Sequence, residues 1–254
     1  MADTNADNAT ANTRILFYGD TGVLVEFDQA STKPTIDSVT ALNNRVLAIK
    51  MRGIISTTPS YASLLIAFDP LLTSGQKLAS VITELLQDLH PLQATSEPEG
   101  KSITWQLPTH FWEKDHDDAL ALQDELGLSW CEIIDDFCAI SYRVNAIGFL
   151  PGFTYLGGLP AQLACRRLDT PKIKIPASSV AIAGKQAGIY PMDSPGGWRV
   201  LGRLPFSIFN RELSSPALFS PNDRISFVPV SQSRFAELAS DAEDGKLDLK
   251  GFQT

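Results

Sequence analysis

The chain has 254 residues, 44% of them apolar, and a formal net charge of −8. That length can bury a sizeable core, as one large domain or two small ones. The acidic balance and the lack of a basic stripe argue against a nucleic-acid partner, and no apolar run approaches a membrane span.

Residues 1–13 are polar, lack the positive and apolar segments of a signal peptide, and read as a disordered tail. Arg14-Ile15-Leu16-Phe17-Tyr18 and Val23-Leu24-Val25-Glu26-Phe27 flank a Gly-Asp-Thr-Gly turn, the pattern of a hairpin. Thr35 precedes Ile36, Val39, Leu42, Val46 and Ile49, a helical spacing with one apolar face. Ser63 to Phe68 reads as a strand, and Leu78, Ile82, Leu85 and Leu89 as a second amphipathic helix. Two helices over one sheet make residues 14–90 a small α+β domain. Residues 91–102, with Pro91, Ser96, Pro98 and Gly100 among charges, have the composition of a linker. A strand at Ile103–Leu107 opens the next domain, 103–240. Helices follow at Asp117–Leu126 and after Ser129-Trp130-Cys131-Glu132, a capping box. Beyond Ser141 the chain is written as β and turn to about Val230. A short helix and a polar tail, 241–254, complete it. Cys131, Cys138 and Cys165, an odd count without Cys-x-x-Cys spacing, fit a reduced, cytoplasmic compartment.

Glycine, proline and aromatics are densest from Gly148 to Phe209. The stretch holds Gly148-Phe149-Leu150-Pro151-Gly152-Phe153-Thr154-Tyr155-Leu156, then Ile175 to Pro191, Ser194-Pro195-Gly196-Gly197-Trp198 and Gly202-Arg203-Leu204-Pro205. Pro-Gly at 151–152 and at 195–196 fits the central positions of type II turns. In this order the motifs resemble those of the 5-oxoprolinase B-subunit family (PxpB), also called KipI-like or allophanate hydrolase subunit 1. Weaker echoes at Gly19–Phe27, Ser63–Pro70 and Arg224–Pro229 extend the resemblance over nearly the whole chain from Arg14. It implies that the mainly-β second domain is a cyclophilin-like β-barrel.

The sequence departs from the family at several points. Thr109 to Leu120 lacks the family's glycine loop, and Phe137 stands where the family has histidine. Ser178 replaces a glycine, Ala187 and Leu204 replace threonines, and Lys172 replaces an arginine.

The residues offer few standard chemistries. His90, His110 and His116 do not pair with cysteine or carboxylate at ligand spacing, so no metal site is predicted. His116-Asp117-Asp118 reads instead as a helix N-terminus. Gly184-Lys185 resembles the end of a phosphate loop, but Ser179 occupies the place of its first glycine and Gln186 that of its Ser or Thr. There is no Gly-x-Ser-x-Gly elbow, and no catalytic nucleophile is assigned. What remains is a polar and aromatic set on glycine-rich turns. The candidates for substrate binding are Phe149, Tyr155, Lys185, Gln186, Tyr190 and Arg203, with Trp198 as a further aromatic. Gln186 can donate and accept, as an amide or lactam requires, and Lys185 or Arg203 can hold a carboxylate or phosphate. The alternative for each is barrel architecture or a solvated turn.

The resemblance implies a B subunit that works with a partner like the 5-oxoprolinase C subunit, ATP being used with that partner to open 5-oxoproline to glutamate. On that expectation the chain is a component of a lactam hydrolase, inactive alone. The family also allows two other readings: a KipI-like inhibitor of a sensor histidine kinase, and a component of a biotin-dependent urea carboxylase.

Overall fold

Alternating apolar residues build the first sheet of the computed structural model, which describes residues 13–27, 32–87, 89 and 102–254. The stretches read as a disordered tail and as a linker lie, but for Thr13 and Ser102, outside the described residues. The chain divides into two compact units, Met1–Lys101 and Ser102–Thr254.

In the first unit β1 (Arg14–Tyr18) and β2 (Gly22–Glu26) form the hairpin. α1 (Lys33–Ala48), β3 (Ile54–Pro59), β4 (Ser63–Phe68) and α2 (Gly75–Gln87) follow. The four strands form an antiparallel sheet ordered β1-β2-β4-β3. Val23, Val25, Leu64, Ile66 and Phe68 share one buried cluster with Val39, Leu42 and Val46 of α1 and Leu78 and Ile82 of α2. α1 starts earlier than the apolar spacing indicates. Thr32, not Thr35, is its N-cap, because Pro34 lacks an N–H and suits the first turn. Ile49 falls beyond the last turn and is 41% exposed.

The second unit runs β5 (Thr104–Phe111), α3 (Asp117–Leu126), α4 (Trp130–Cys138), β6 (Tyr142–Ile147), β7 (Thr154–Gly157) and β8 (Lys172–Ile175). It continues with β9 (Ser179–Ala183), β10 (Gln186–Ile189), β11 (Ser194–Gly196), β12 (Arg199–Arg203), β13 (Arg224–Pro229) and α5 (Gln232–Glu243). Seven strands close into a barrel ordered β10-β7-β6-β13-β5-β12-β9. β5 and β13 form its parallel pair, Trp105 opposite Ile225 and Leu107 opposite Phe227. Both helix starts follow their local signals. The Asp118 amide donates to His116 Nδ1, and Ser129 and Glu132 close a reciprocal capping box.

Each barrel strand sends alternate residues inward. Leu107, Val144, Leu156, Val180, Ile182, Ala187, Ile189, Leu201 and Ile225 meet in the main core with Leu122 of α3 and Ile133 of α4. On part of the barrel the opposite face is covered as well. Tyr155, Ala181, Ala183 and Val200 join Phe153, Tyr190 and Trp198 in a second cluster outside the barrel, together with Ile175 of β8. Burial on both faces explains why Val180-Ala181-Ile182-Ala183 is apolar throughout rather than alternating.

Two sequence expectations change here. Pro195-Gly196 is not a type II turn: it belongs to β11, which pairs with β8 as a two-stranded ribbon. Gly152 does hold φ +83, as a type II turn at 151–152 requires. Phe137, at the position where the resemblance implies histidine, is fully buried in the barrel core, 5.0 Å from both the Phe227 and Tyr142 rings. The polar C-terminal stretch is not a free tail, because the Phe252 ring stacks on Phe206 at 5.4 Å and the Thr254 amide donates to the Thr104 carbonyl.

Candidate functional site

The second cluster forms the floor of a cavity of about 580 Å3 on the outer side of the barrel. Phe153, Tyr155, Tyr190 and Trp198 line it, with Ala183 and the Gly184–Gln186 tip of the β9–β10 hairpin on one side. Cys165, Arg166 and Arg167 lie along another side, with Pro195 and Gly196 of β11 and Phe149 completing the lining.

Local sequence explains how these residues converge. Ala183 pairs with Gln186 across a two-residue turn whose first residue, Gly184, holds φ +59. A glycine with positive φ at that position is the pattern of a tight hairpin, and it leaves Lys185 exposed at the tip. Gly184 is also bridged to Cys165 by two backbone hydrogen bonds, Cys165 N–H to Gly184 O at 3.2 Å and the reverse at 2.7 Å. This bridge sets the Cys165–Arg167 segment beside the hairpin. Two other glycines make room for the aromatics. A Cβ at Gly188 would lie 2.9 Å from Trp198 and 3.1 Å from Phe153, and one at Gly196 would lie 2.5 Å from the Tyr190 hydroxyl. Phe149 sits 79% exposed with φ +73, a costly conformation for a bulky residue, its ring edge-on to Phe153 at 6.1 Å.

The ribbon that supplies Gly196 is tied to the barrel by charge. The Lys172 ammonium donates to Asp118 Oδ2 at 2.5 Å, and the Val200 amide donates to the same oxygen at 3.1 Å. Asp118 is 2% exposed, so a helix N-terminus, the ribbon and β12 meet on one buried carboxylate.

The electrostatics of the cavity are one-sided. Among the described residues no aspartate or glutamate lines it, whereas Arg166, Arg167 and Lys185 do. Arg166 lies 4.0 Å from Glu125, a carboxylate it shares with Arg199 at 3.4 Å. Among the described residues no carboxylate pairs with Arg167 or Lys185. Burial pushes the Tyr190 phenol up to about 12, with Arg167 pulling it back. Burial raises Tyr155 too, again against Arg167. The Trp198 backbone amide also draws the Tyr190 phenol down, the smallest of these influences. The Cys165 thiol is pushed up to about 12, first by burial and then by Glu125, so it is an inert wall rather than a nucleophile. Among the described residues no group of three His, Cys, Asp or Glu side chains is placed to hold a metal ion.

Phe149, Tyr155, Lys185, Gln186 and Tyr190 therefore line one cavity, but Arg203 is not among its lining residues. The Arg203 Nε donates to the Ala177 carbonyl at 2.8 Å, so this cation supports the turn before β9. Phe153, Arg166 and Arg167 also line the cavity, beyond the candidates the sequence indicates. The available signal was the sole Arg-Arg pair of the sequence, at 166–167, but nothing in its spacing to the hairpin reveals the Cys165–Gly184 bridge.

A family model described as carboxyltransferase domain, subdomains C and D, matches residues 13–219. The chain belongs to this carboxyltransferase C and D domain family. It is 30% identical over 219 residues to the B subunit of 5-oxoprolinase from Escherichia coli O157:H7, covering 86% of this chain and 97% of that protein. Among solved structures, the protein TTHA0988 superposes with a TM-score of 0.70 at 28% identity, over 83% of this chain and 40% of that one. The urea amidolyase of K. lactis gives a TM-score of 0.72 at 18% identity, over 93% of this chain and 16% of that one, a likeness of fold alone. The present chain thus spans less than half of either solved chain. Ser178, at a position where the family resemblance implies glycine, holds φ +64, a conformation glycine adopts readily, and its hydroxyl donates to the Phe206 carbonyl at 2.7 Å.

Proposed function

We propose that this chain is the B subunit of an ATP-dependent, 5-oxoprolinase-like amidohydrolase, and that the cavity holds the lactam while a C-subunit-like partner completes the enzyme. Membership of the family and the match to a 5-oxoprolinase B subunit over 97% of its length support the class of activity. The observation that carries the site is a cavity with two cations that no described carboxylate pairs, one two-way hydrogen bonder and an aromatic floor.

Each feature answers a need of a small cyclic amide that bears a carboxylate. Arg167 offers that carboxylate a planar fork of donors. Gln186 can donate to the lactam oxygen and accept from the lactam N–H at once. Tyr190, kept neutral at pH 7, offers a proton without withdrawing one, so it acts as a hydrogen-bond donor and not as a general base. Phe153, Tyr155 and Trp198 exclude water from one face of the ring and so strengthen these polar contacts.

The residues do not fit a nucleoside triphosphate. Lys185 stands on a two-residue hairpin tip rather than at a helix N-terminus, and no glycine-rich loop among the described residues presents successive amides to a phosphate chain. ATP handling is accordingly assigned to the partner. The test is release of glutamate from 5-oxoproline with ATP, measured for this chain, for its partner and for both. Activity is expected only from the mixture, and turnover by this chain alone contradicts the assignment.

A further inference from the structure

The cavity carries more positive charge than one carboxylate needs. On a chain of net charge −8, three cations line it and among the described residues no carboxylate does, Arg166 alone having Glu125 within 4.0 Å. They also occupy two different places. Arg166 and Arg167 belong to the segment before β8, where the Leu168 amide donates to the Gly197 carbonyl at 2.8 Å. Arg167 Nε would lie 3.8 Å from a Cβ at Gly197, next to Trp198, and it is the cation that acts on both Tyr155 and Tyr190. Lys185 sits beside Gln186 at the exposed tip of the β9–β10 hairpin, on a different element of the cavity wall.

We infer that the cavity recognises ligands with an anionic group at each end, one held by Arg167 with the Tyr190 hydroxyl and the other by Lys185 with Gln186. This inference rests on the proposed function. It adds that the site favours the state in which the lactam carbonyl end has become anionic over the neutral lactam itself. Two species share that chemistry: the ring-opened dicarboxylate, and a form carrying a phosphoryl group at that end. In both, the distal charge falls where a compact ammonium and an amide N–H can meet it, whereas intact 5-oxoproline presents only a neutral oxygen there.

The experiment is calorimetric titration of the full chain with 5-oxoproline, glutarate and 3-phosphonopropionate. Each is titrated into the wild type and into Lys185→Gln and Arg167→Gln variants, whose thermal midpoints are checked first. Both substitutions are at exposed positions, so unchanged midpoints are expected. At least one dianion is expected to bind about tenfold tighter than 5-oxoproline. Glutarate in first place assigns the distal subsite to a carboxylate, and the phosphonate in first place assigns it to a phosphoryl group. Lys185→Gln is expected to abolish the preference, while Arg167→Gln weakens all three ligands. If 5-oxoproline binds as tightly as both dianions, or if Lys185→Gln weakens all three alike, the two-anion inference is overturned while the proposed substrate site stands. If none of the three binds, both are overturned.

Discussion

Tyr190 ties packing to chemistry through a single hydroxyl. Its ring is 2% exposed, edge-on to Phe153 at 4.9 Å, and burial pushes the phenol from 10.0 up to about 12. The folded state therefore keeps a proton that the unfolded chain loses. The associated stability is fully present below pH 10 and is lost as the pH rises toward about 12. Tyr142, buried in the barrel, shifts in the same direction. Denaturant unfolding across that window should show stability falling with pH, and less steeply in Tyr190→Phe; an identical slope in the variant would count against this account of the phenol. Gln186 is the second informative residue. Gln186→Ala is expected to weaken 5-oxoproline binding by roughly 1–3 kcal/mol through a lost hydrogen bond, with little change in thermal midpoint. A variant that unfolds while the wild type binds nothing would make Gln186 an element of barrel architecture. At this scale the sequence was legible wherever polarity was local. The amide and lysine on a glycine turn stand out, but Arg203 reads the same way and is turned to a backbone carbonyl instead.

At the scale of elements, short-range signals were readable and long-range ones were not. The starts of α3 and α4 are announced by capping residues within four positions of the first helical turn. The β8–β11 ribbon is not announced. Ser194-Pro195-Gly196 carries the residues of a turn, and only the approach of Ile175 and Tyr190 makes it a strand. The parallel pairing of β5 with β13 joins residues 120 apart, Ile103 N–H reaching the Asp223 carboxylate, and no local pattern encodes it. Two substitutions probe this level. Lys172→Met leaves Asp118 buried without its cation and should cost roughly 3 kcal/mol in urea unfolding, near the lower bound for a broken buried pair because Lys172 is 33% exposed. Unchanged stability would show that the pair does not hold the ribbon. At Ser178, alanine keeps a Cβ in the left-handed region and loses the bond to Phe206, whereas glycine loses the bond but relieves about 1–2 kcal/mol of backbone strain. Ser178→Ala should therefore be less stable than Ser178→Gly, and the reverse order would refute the argument.

At the scale of the molecule, each of the two units has its own buried cluster. Val23, Leu42 and Ile66 lie in one, and Leu107, Ile133 and Ile225 in the other. A fragment of residues 102–254 is therefore expected to unfold in one cooperative thermal transition, and a broad, non-cooperative melt would show that it needs the first unit. The barrel could be expected from motifs that resemble a known family. Periodicity alone gives only β and turn after Ser141, because strands buried on both faces lose their alternation. The cavity on the barrel's outer face follows from that double burial, since Tyr155 and Tyr190 can line it only where the barrel's other face is already packed. On the proposed function, the substrate of an assembled amidohydrolase lies in that cavity. The most direct test is the rate of ATP-dependent glutamate release from 5-oxoproline by this chain and its C-subunit-like partner together, as a function of substrate concentration. Wild type, Arg167→Gln and the remote, exposed Lys246→Gln would be compared. The account predicts turnover with wild type and Lys246→Gln, and a raised KM with Arg167→Gln. Identical rates for all three at every concentration, or no glutamate from the wild-type mixture, would contradict it.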